Sequence, residues 1–341
     1  MPQRVNDYQN VPPASRNLDT NPGRAASKRM MVRTLHTRPA LAGSDLTGAI
    51  GNTPLVPIQG LEGVPETVEV YGKAESLNPG GSVKDRGAWG IVRRAEVEGL
   101  LGGGRVLLDA TSGNTGIAYA WIGAARGHRV RLCVPANANA ERRRLLKALG
   151  AELTLTDPME GMDGAIREAE RIAASDPARY YYADQYSNPA NPAAHQRTTA
   201  PEIWAQTGGR ITHLVAGIGT AGTLVGTTRG LRARNPGVVT VAVQPDSPLH
   251  VMEGLKHLGT ARVPAIYDAS AHQHTVEVSS EQAIDMAARM ARRGLLIGWS
   301  AGAALVAAAR VARELERGVV VAILPDGAER YLSDAAWDGE A

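Results

Sequence analysis

VLLDATSGNTGIAYAWIGAAR, residues 106–126, holds a short apolar run, a loop of small polar residues and a helical pattern in direct succession. The apolar run at 106–108 predicts a strand, and residues 116–126 predict a helix. Another strand is predicted directly afterwards, at 129–134. A strand, a helix and a strand in this order are typical of a parallel sheet with helices on its faces.

The same alternation extends in both directions along the chain. Further strands are predicted at 68–71, 152–156, 213–216, 238–243 and 319–324, and further helices at 86–99, 139–149, 163–174, 222–233, 281–293 and 302–315. We therefore predict an α/β protein of two domains, each a mostly parallel twisted sheet with flanking helices, with ligands at the carboxyl ends of the strands. The predicted division is a flexible basic extension at 1–44, an N-terminal α/β domain at 45–190, a C-terminal α/β domain at 191–334 and a tail at 335–341.

Composition narrows the class of protein. The 341 residues are 43% hydrophobic and 21% charged, which is typical of a globular protein. No apolar run approaches the roughly 18 residues that cross a membrane. Residues 1–45 carry a net charge of +4, so the rest of the chain is at −1 and offers no electrostatic reason to expect a nucleic-acid partner. The single cysteine, Cys133, cannot form an internal disulfide and is predicted to be a buried strand residue.

Lysine is rare in this chain, and one lysine stands out. Five of the 37 basic residues are lysines. Lys84 follows the turn Asn78-Pro79-Gly80-Gly81 and falls in the first turn of a predicted helix, close to Arg86. The positive helix end and Arg86 should lower the pKa of Lys84 and favour the free amine that a Schiff base needs. The alternative is a surface lysine paired with Asp85.

Two further loops contain small polar residues and glycines. The segment 109–116, between a strand and a helix, offers hydroxyl groups and helix N-terminal amides to a carboxylate or phosphate; the alternative is an ordinary helix cap. The segment Gly217–Thr223 follows a strand and suits a phosphate. Its first six residues also fit the dinucleotide pattern G-x-G-x-x-G, with Asp246 as a ribose-binding acid. A phosphorylated cofactor that forms an imine explains both loops and Lys84 together, whereas a dinucleotide leaves Lys84 unexplained.

Six motifs in this order resemble the fold-type II pyridoxal-phosphate enzymes, and among them the cysteine synthase (O-acetylserine sulfhydrylase)/cystathionine β-synthase family. The resemblance extends from Gly51 to Ser333. The motifs are Gly51–Leu55, Asn78–Arg86, Thr111–Gly116, Gln185–Asn191, Gly219–Thr223 and Gly298–Ala303.

The resemblance implies a role for each matching residue. Lys84 holds pyridoxal 5′-phosphate and acts as the catalytic base, Asn114 binds the 3′ oxygen of the cofactor, and Ser300 faces its pyridine nitrogen. The cofactor phosphate is held by Gly219, Thr220, Ala221, Gly222 and Thr223. The substrate carboxylate is held by Thr111, Ser112, Gly113, Thr115 and Gln185. No metal is implied.

The implied reaction is β-replacement on an O-activated L-serine through an α-aminoacrylate. We expect a cysteine synthase that converts O-acetylserine or O-phosphoserine and sulfide into L-cysteine. Alternatives are the same chemistry with another nucleophile, as in a 2,3-diaminopropionate-type or cystathionine synthase, a non-catalytic binding protein, and a dinucleotide-binding oxidoreductase. The expected partners are a small-molecule amino-acid substrate and a small nucleophile, without nucleic acid or membrane, and by analogy we expect a cytoplasmic homodimer.

Some positions depart from the family pattern or match one subgroup of the family. Trp299 precedes Ser300 and is predicted to fill core rather than to reshape the cofactor pocket. Ala136-Asn137-Ala138-Asn139 differs from a family segment near the entrance of the active site. The stretch 249–264 resembles a loop close to the substrate in one subgroup, and its Lys256 is a candidate for reading an acidic leaving group, with a solvated lysine as the alternative.

Overall fold

The computed structural model describes residues 46–111, 113–332 and 337. In this part of the chain the strands are β1 (Leu55–Pro57), β2 (Val68–Ala74), β3 (Val106–Ala110), β4 (Val130–Pro135), β5 (Glu152–Thr156), β6 (Tyr180–Tyr182), β7 (His213–Gly217), β8 (Val239–Pro245), β9 (His274–Val278) and β10 (Gly318–Leu324). The helices are α1 (Lys84–Val97), α2 (Asn114–Arg126), α3 (Ala140–Ala148), α4 (Gly161–Ser175), α5 (Ala190–Arg197), α6 (Thr199–Gln206), α7 (Gly222–Arg232), α8 (Ser280–Ala291) and α9 (Trp299–Arg313). The predicted extension at 1–44 lies outside the described residues, and of the predicted tail only Trp337 is described.

The strands form two sheets. The larger sheet has the order β1-β2-β10-β7-β8-β9 and the smaller one β5-β4-β3-β6. Every pairing is parallel except that of β1 with β2. The predicted α/β class with mostly parallel sheets is confirmed.

The order of strands in the larger sheet was not evident from the sequence. β2 lies within the predicted N-terminal domain 45–190, yet it pairs with β10, so that Val70 stands beside Val320. The chain thus contributes β1 and β2 to the larger sheet before it builds the smaller one. The division of the chain at residue 190 remains a prediction. It does not account for β1 and β2, which precede residue 190 but belong to the larger sheet.

Burial explains why the strands pair as they do. β3 and most of β10 are buried along their lengths, as expected for central strands covered by helices on both faces. α9 has eleven buried residues and packs against the larger sheet in one hydrophobic cluster. Cys133 is fully buried in β4, as predicted, and burial raises the pKa of its thiol to about 12.

Three helices begin earlier than the ranges predicted from the sequence, and their first turns hold the candidate site residues Lys84, Asn114 and Ser300. α1 begins at Lys84, α2 at Asn114 and α9 at Trp299. Apart from Trp299, the first turns of these helices hold small or polar residues, so the apolar periodicity that predicts a helix begins only after them. Within the described residues, no helix is both long and apolar enough to cross a membrane.

Candidate active site

The carboxyl ends of several parallel strands meet around one cavity of about 290 Å³. Its walls come from the loops that follow β3, β7 and β8 and from the start of α1. Ligands of α/β proteins bind at this edge of the sheet, because the loops here take no part in the hydrogen bonds between strands and can carry polar groups. Eight of the predicted site residues line it: Lys84, Thr111, Gly113, Asn114, Thr115, Gln185, Gly219 and Thr220.

A smaller cavity of about 30 Å³ adjoins the first one and shares Lys84, Asn114 and Gly219 with it. It adds three more of the predicted residues, Ala221, Thr223 and Ser300. Gly222 lines neither cavity and is the first residue of α7. Ser112 lies outside the described residues. Five of the six motifs that the sequence singled out therefore meet at one place, whereas Gly51–Leu55 lines neither cavity.

Lys84 faces this space with a free amine. Within the described residues, its Nζ makes no hydrogen bond and no ion pair, and Asp85 instead accepts a hydrogen bond of 3.1 Å from Trp121 Nε1. The alternative of a surface pair between Lys84 and Asp85 is thus wrong. Burial lowers the pKa of Lys84, and the negative charge of Asp326 opposes this effect.

The expected cause of that shift was a different one. The sequence predicts that the positive helix end and Arg86 lower the pKa of Lys84. The structure instead holds the Arg86 guanidinium against Glu75, 2.7 Å from Nε to Oε2, and against Glu202. Arg86 is neutralised there, and desolvation of Lys84 is the main cause.

Asp326 is a site residue that sequence analysis missed. It follows β10, is 1% exposed, and accepts hydrogen bonds on Oδ2 from Asn114 Nδ2 (2.7 Å) and Tyr331 Oη (2.8 Å). Burial raises the pKa of its carboxyl group. Asp326 Oδ1 and Asn114 Oδ1 are both buried without a hydrogen-bond partner among the described residues. The one available signal was its place after a predicted strand, at the edge where ligands bind.

The loop after β3 is tied to the segment after β6. Thr111 Oγ1 accepts hydrogen bonds from the amides of Gly113 and Gly116, each 3.1 Å long. Thr115 Oγ1 donates to Gln185 Oε1 at 2.7 Å, and Gln185 Nε2 donates to the carbonyl of Ala110 at 2.8 Å. The two segments predicted to hold a carboxylate therefore form one hydrogen-bonded unit beside Lys84.

The loop after β7 is packed closely against the loop after β8. A Cβ atom on Gly219 would stand 2.1 Å from the carbonyl oxygen of Gly254, so this position has room only for glycine. Ala221 has a φ of 70°, a left-handed conformation that is unfavourable for alanine. Strain of this kind persists where the surroundings fix the backbone, and it is common at ligand sites.

Two threonines of this loop are held by buried partners. Asn191 Nδ2 donates to Thr220 Oγ1 at 3.1 Å. Thr223 Oγ1 lies 3.2 Å from His195 Nε2, and burial lowers the pKa of this histidine to about 3. His195 is therefore neutral at physiological pH and orients the hydroxyl without adding charge.

Ser300 and Trp299 lie side by side at the start of α9 but face different surroundings. Ser300 lines the smaller cavity. Trp299 is fully buried and stacks on Trp337, with ring centroids 4.7 Å apart. The prediction that Trp299 fills core is confirmed.

The outer wall of the larger cavity comes from α3 and from the loop after β8. It includes Arg142, His250, Glu253, Lys256 and His257. The departing segment 136–139 caps α3, since Asn139 Oδ1 accepts hydrogen bonds from the amides of Glu141 (2.8 Å) and Arg142 (3.4 Å). Lys256 Nζ stands 5.0 Å from the ring centroid of Tyr186. Arg142 was missed because nothing in its local sequence distinguishes it from the arginines that follow.

Residues 46–326 match the model of a protein family described as pyridoxal-phosphate dependent enzyme. This match spans most of the chain and includes all the cavity-lining motifs.

The chain belongs to the pyridoxal-phosphate dependent enzymes.

Its relatives agree with this assignment. A cysteine synthase of Aquifex aeolicus is 49% identical over 295 residues, which cover 84% of this chain and 90% of the relative. The crystal structure of a cysteine synthase (OASS) from Entamoeba histolytica has a TM-score of 0.83 and 32% identity, and covers 94% of this chain and 95% of that one. An O-acetylserine dependent cystathionine β-synthase from Helicobacter pylori has a TM-score of 0.81 and 34% identity, with 87% and 99% covered.

The cavity fits the cofactor of a pyridoxal-phosphate dependent enzyme, pyridoxal 5′-phosphate. Among residues 46–111, 113–332 and 337, neither the amine of Lys84 nor the buried Asn114 Oδ1 has a hydrogen-bond partner. Gly219 lines both cavities without a side chain, and its backbone packs so closely against Gly254 that a Cβ atom would clash there. The family membership decides against the dinucleotide-binding oxidoreductase and against a protein that only binds ligands.

Proposed function

We propose that this enzyme is a cysteine synthase, which replaces the activated β-hydroxyl of an O-acyl or O-phosphoryl L-serine with sulfide. The observation that carries the proposal is the meeting of three groups at one cavity: the free amine of Lys84, the hydrogen-bonded unit of Thr111, Thr115 and Gln185, and the loop 217–223. The similarity to cysteine synthases supports the choice of reaction.

The residues divide between the cofactor and the substrate. Lys84 would hold the cofactor, Asn114 its 3′ oxygen, Ser300 its ring nitrogen and Gly219–Thr223 its phosphate. Thr111, Ser112, Gly113, Thr115 and Gln185 would hold the carboxylate of the amino acid. Bound in this way, the cofactor supplies an electron sink for the α-carbon.

Lys84 is the group that moves a proton. Its burial favours the neutral amine, which can accept the α-proton of the substrate. Asp326 stabilises the resulting ammonium, because its negative charge attracts Lys84. Ser300 is a neutral hydroxyl and adds no charge at the ring nitrogen, which favours loss of the β-substituent over a long-lived carbanion.

Spectroscopic titration tests the reaction. The purified holoenzyme is titrated with O-acetyl-L-serine or O-phospho-L-serine and then with sulfide. We expect one donor to change the visible spectrum of the cofactor, and sulfide to restore it with release of L-cysteine. A spectrum that neither donor changes would overturn the proposal. A product formed only with homocysteine or an amine would replace sulfide with that nucleophile.

Reductive trapping tests the role of Lys84. Borohydride reduction followed by peptide mass spectrometry should find the cofactor on the peptide that contains Lys84. Lys84→Ala should abolish this adduct and the turnover, whereas Lys147→Ala, at an exposed lysine of α3, should change neither. An adduct that persists in Lys84→Ala would move the assignment to another lysine.

We also propose that the enzyme is a cytoplasmic homodimer whose partners are a small-molecule amino acid and a small nucleophile. This proposal rests on the family resemblance.

A further inference from the structure

Arg142 is a buried cation whose ion-pair partner Glu253 is exposed, and its charge also interacts with the buried carboxyl group of Asp326. It lies on α3, is 6% exposed, and lines the larger cavity. Its Nη1 forms an ion pair with Glu253 Oε2, and the side chain of Glu253 is 47% exposed. Its Nε is buried and has no hydrogen-bond partner in the part of the chain that the structure describes. A guanidinium in this setting retains capacity for an anion.

The position of Arg142 points to the anion that it meets. A Cβ atom on Gly113 would stand 3.5 Å from Arg142 Nη1 and 3.9 Å from Glu253 Oε2. Both charged groups therefore border the loop that the proposed function assigns to the substrate carboxylate. The guanidinium carbon lies 5.6 Å from the ring centroid of Tyr331, which restricts the orientation of the side chain.

Displacement of Glu253 costs little. A half-exposed carboxylate regains water when its partner leaves, and it loses only a solvent-screened ion pair. Buried Arg142 cannot regain water in this way and needs another anion. A carboxylate that enters beside Gly113 meets this need and can form the two parallel hydrogen bonds that guanidinium groups favour.

We propose that Arg142 is a substrate-binding residue that exchanges Glu253 for the α-carboxylate of the amino-acid substrate. This inference rests on the proposed function and extends it to a residue of α3. Glu253 comes from the loop after β8 of the larger sheet, whereas α3 follows β4 of the smaller one. The exchange therefore releases a link between the two walls of the cavity when the substrate binds.

Binding measurements on the holoenzyme test the exchange without turnover. Dissociation constants for L-serine and L-serinamide are measured from the visible spectrum of the cofactor, since the amide lacks the carboxylate. For Arg142→Met we expect weaker binding of L-serine by about 10-fold, in keeping with a lost charge-assisted contact, and less than a 2-fold change for L-serinamide. Arg142→Lys should recover part of the loss. Arg144→Met, at an exposed arginine of α3, is the matched control and should bind both ligands as the wild type does.

A second experiment removes the negative charge of Glu253, which competes with the substrate for Arg142. Glu253→Gln should tighten the binding of L-serine several-fold and lower KM for the donor with little change in kcat, because the neutral amide no longer competes for Arg142. If the ion pair had only a structural role, Glu253→Gln would instead bind L-serine more weakly, as Arg142→Met does.

Three results would overturn the inference. The first is an equal loss for L-serine and L-serinamide in Arg142→Met. The second is a loss for O-phospho-L-serine alone, which would assign Arg142 to the leaving group. The third is unchanged or weaker binding of L-serine in Glu253→Gln. Failure of the proposed function would give a different result. The variants would then bind L-serine and L-serinamide as expected, but neither donor would yield L-cysteine with sulfide.

Discussion

Arg86, two residues after Lys84, is the centre of a buried cluster of charged side chains. Arg86 is 2% exposed and donates to both Glu75 and Glu202. Lys73 Nζ donates to Glu202 at 2.7 Å, so two cations balance two carboxylates. Burial by itself would raise the pKa of Glu202, but Arg86 and Lys73 outweigh it and hold this pKa at about 2.

Removal of Arg86 should therefore be costly. We expect Arg86→Met to lower the free energy of unfolding by about 3–5 kcal/mol, because Glu75 and Glu202 are left without their cation. Urea unfolding of the holoenzyme measures this loss. Arg94→Met breaks an exposed pair with Glu98 on the same helix and should cost about 0.5 kcal/mol or less.

Acid titration provides a second measure of the same cluster. A carboxyl with a depressed folded pKa stabilises the protein above its unfolded pKa of 4.5, and this stability is lost as the pH falls towards 2. The difference in the free energy of unfolding between the wild type and Arg86→Met should therefore become smaller as the pH falls from 4.5 towards 2. A difference that is constant with pH would exclude Glu202 as the partner whose charge matters.

At the scale of elements, the connection from β7 to α7 depends on glycine at one position. Gly219 approaches the backbone of Gly254, and Lys84 Nζ is 4.0 Å from the place of a Cβ on Gly254. The loop after β7, the loop after β8 and the start of α1 are therefore in mutual contact. A shift in one of them displaces the proposed phosphate site relative to the lysine.

Gly219→Ala tests this close approach. The added methyl group would meet a carbonyl oxygen that cannot rotate away, and such overpacking costs about 1–3 kcal/mol. We expect the affinity for pyridoxal 5′-phosphate to fall by about 10-fold, as measured by titration of the cofactor-free protein. Gly237→Ala, in an exposed turn before β8, is the control and should bind the cofactor normally. Normal affinity in Gly219→Ala would show that the loop does not hold the phosphate.

At the scale of the whole molecule, the site joins the two sheets. Lys84, the loop after β7 and Asp326 are attached to the larger sheet, while Thr111 and Asn114 follow β3 of the smaller one. A cofactor held by both groups binds the folded protein and not the unfolded chain. Its binding free energy is therefore added to the stability of the fold.

Cofactor removal should lower the stability of the entire chain. With free pyridoxal 5′-phosphate at about 100 times its dissociation constant, the expected loss on removal is about 2.7 kcal/mol. Thermal unfolding with and without cofactor measures it, and added pyridoxal, which lacks the phosphate, should restore only part of the loss. An unchanged midpoint would mean that the cofactor does not bridge the two sheets.

The sequence by itself determined the α/β class and the loops that form the site. Strand–helix alternation is a local pattern, and the segments around Lys84, Asn114, Gly219 and Ser300 carry their glycines and hydroxyls in contiguous runs. These signals lie within one turn or one strand, so they are readable without the fold. Their meeting at one edge follows from the parallel order of the strands.

Only the tertiary structure decided what lies between those loops. Asn114 and Asp326 are 212 residues apart in the chain and 2.7 Å apart in space, and the pairing of β2 with β10 also joins the two ends of the described chain. It also decided that burial rather than Arg86 lowers the pKa of Lys84, and that Arg142 faces Glu253. Local periodicity does not predict such contacts. They depend on the order of the strands in each sheet and on which side chains become buried when the sheets pack.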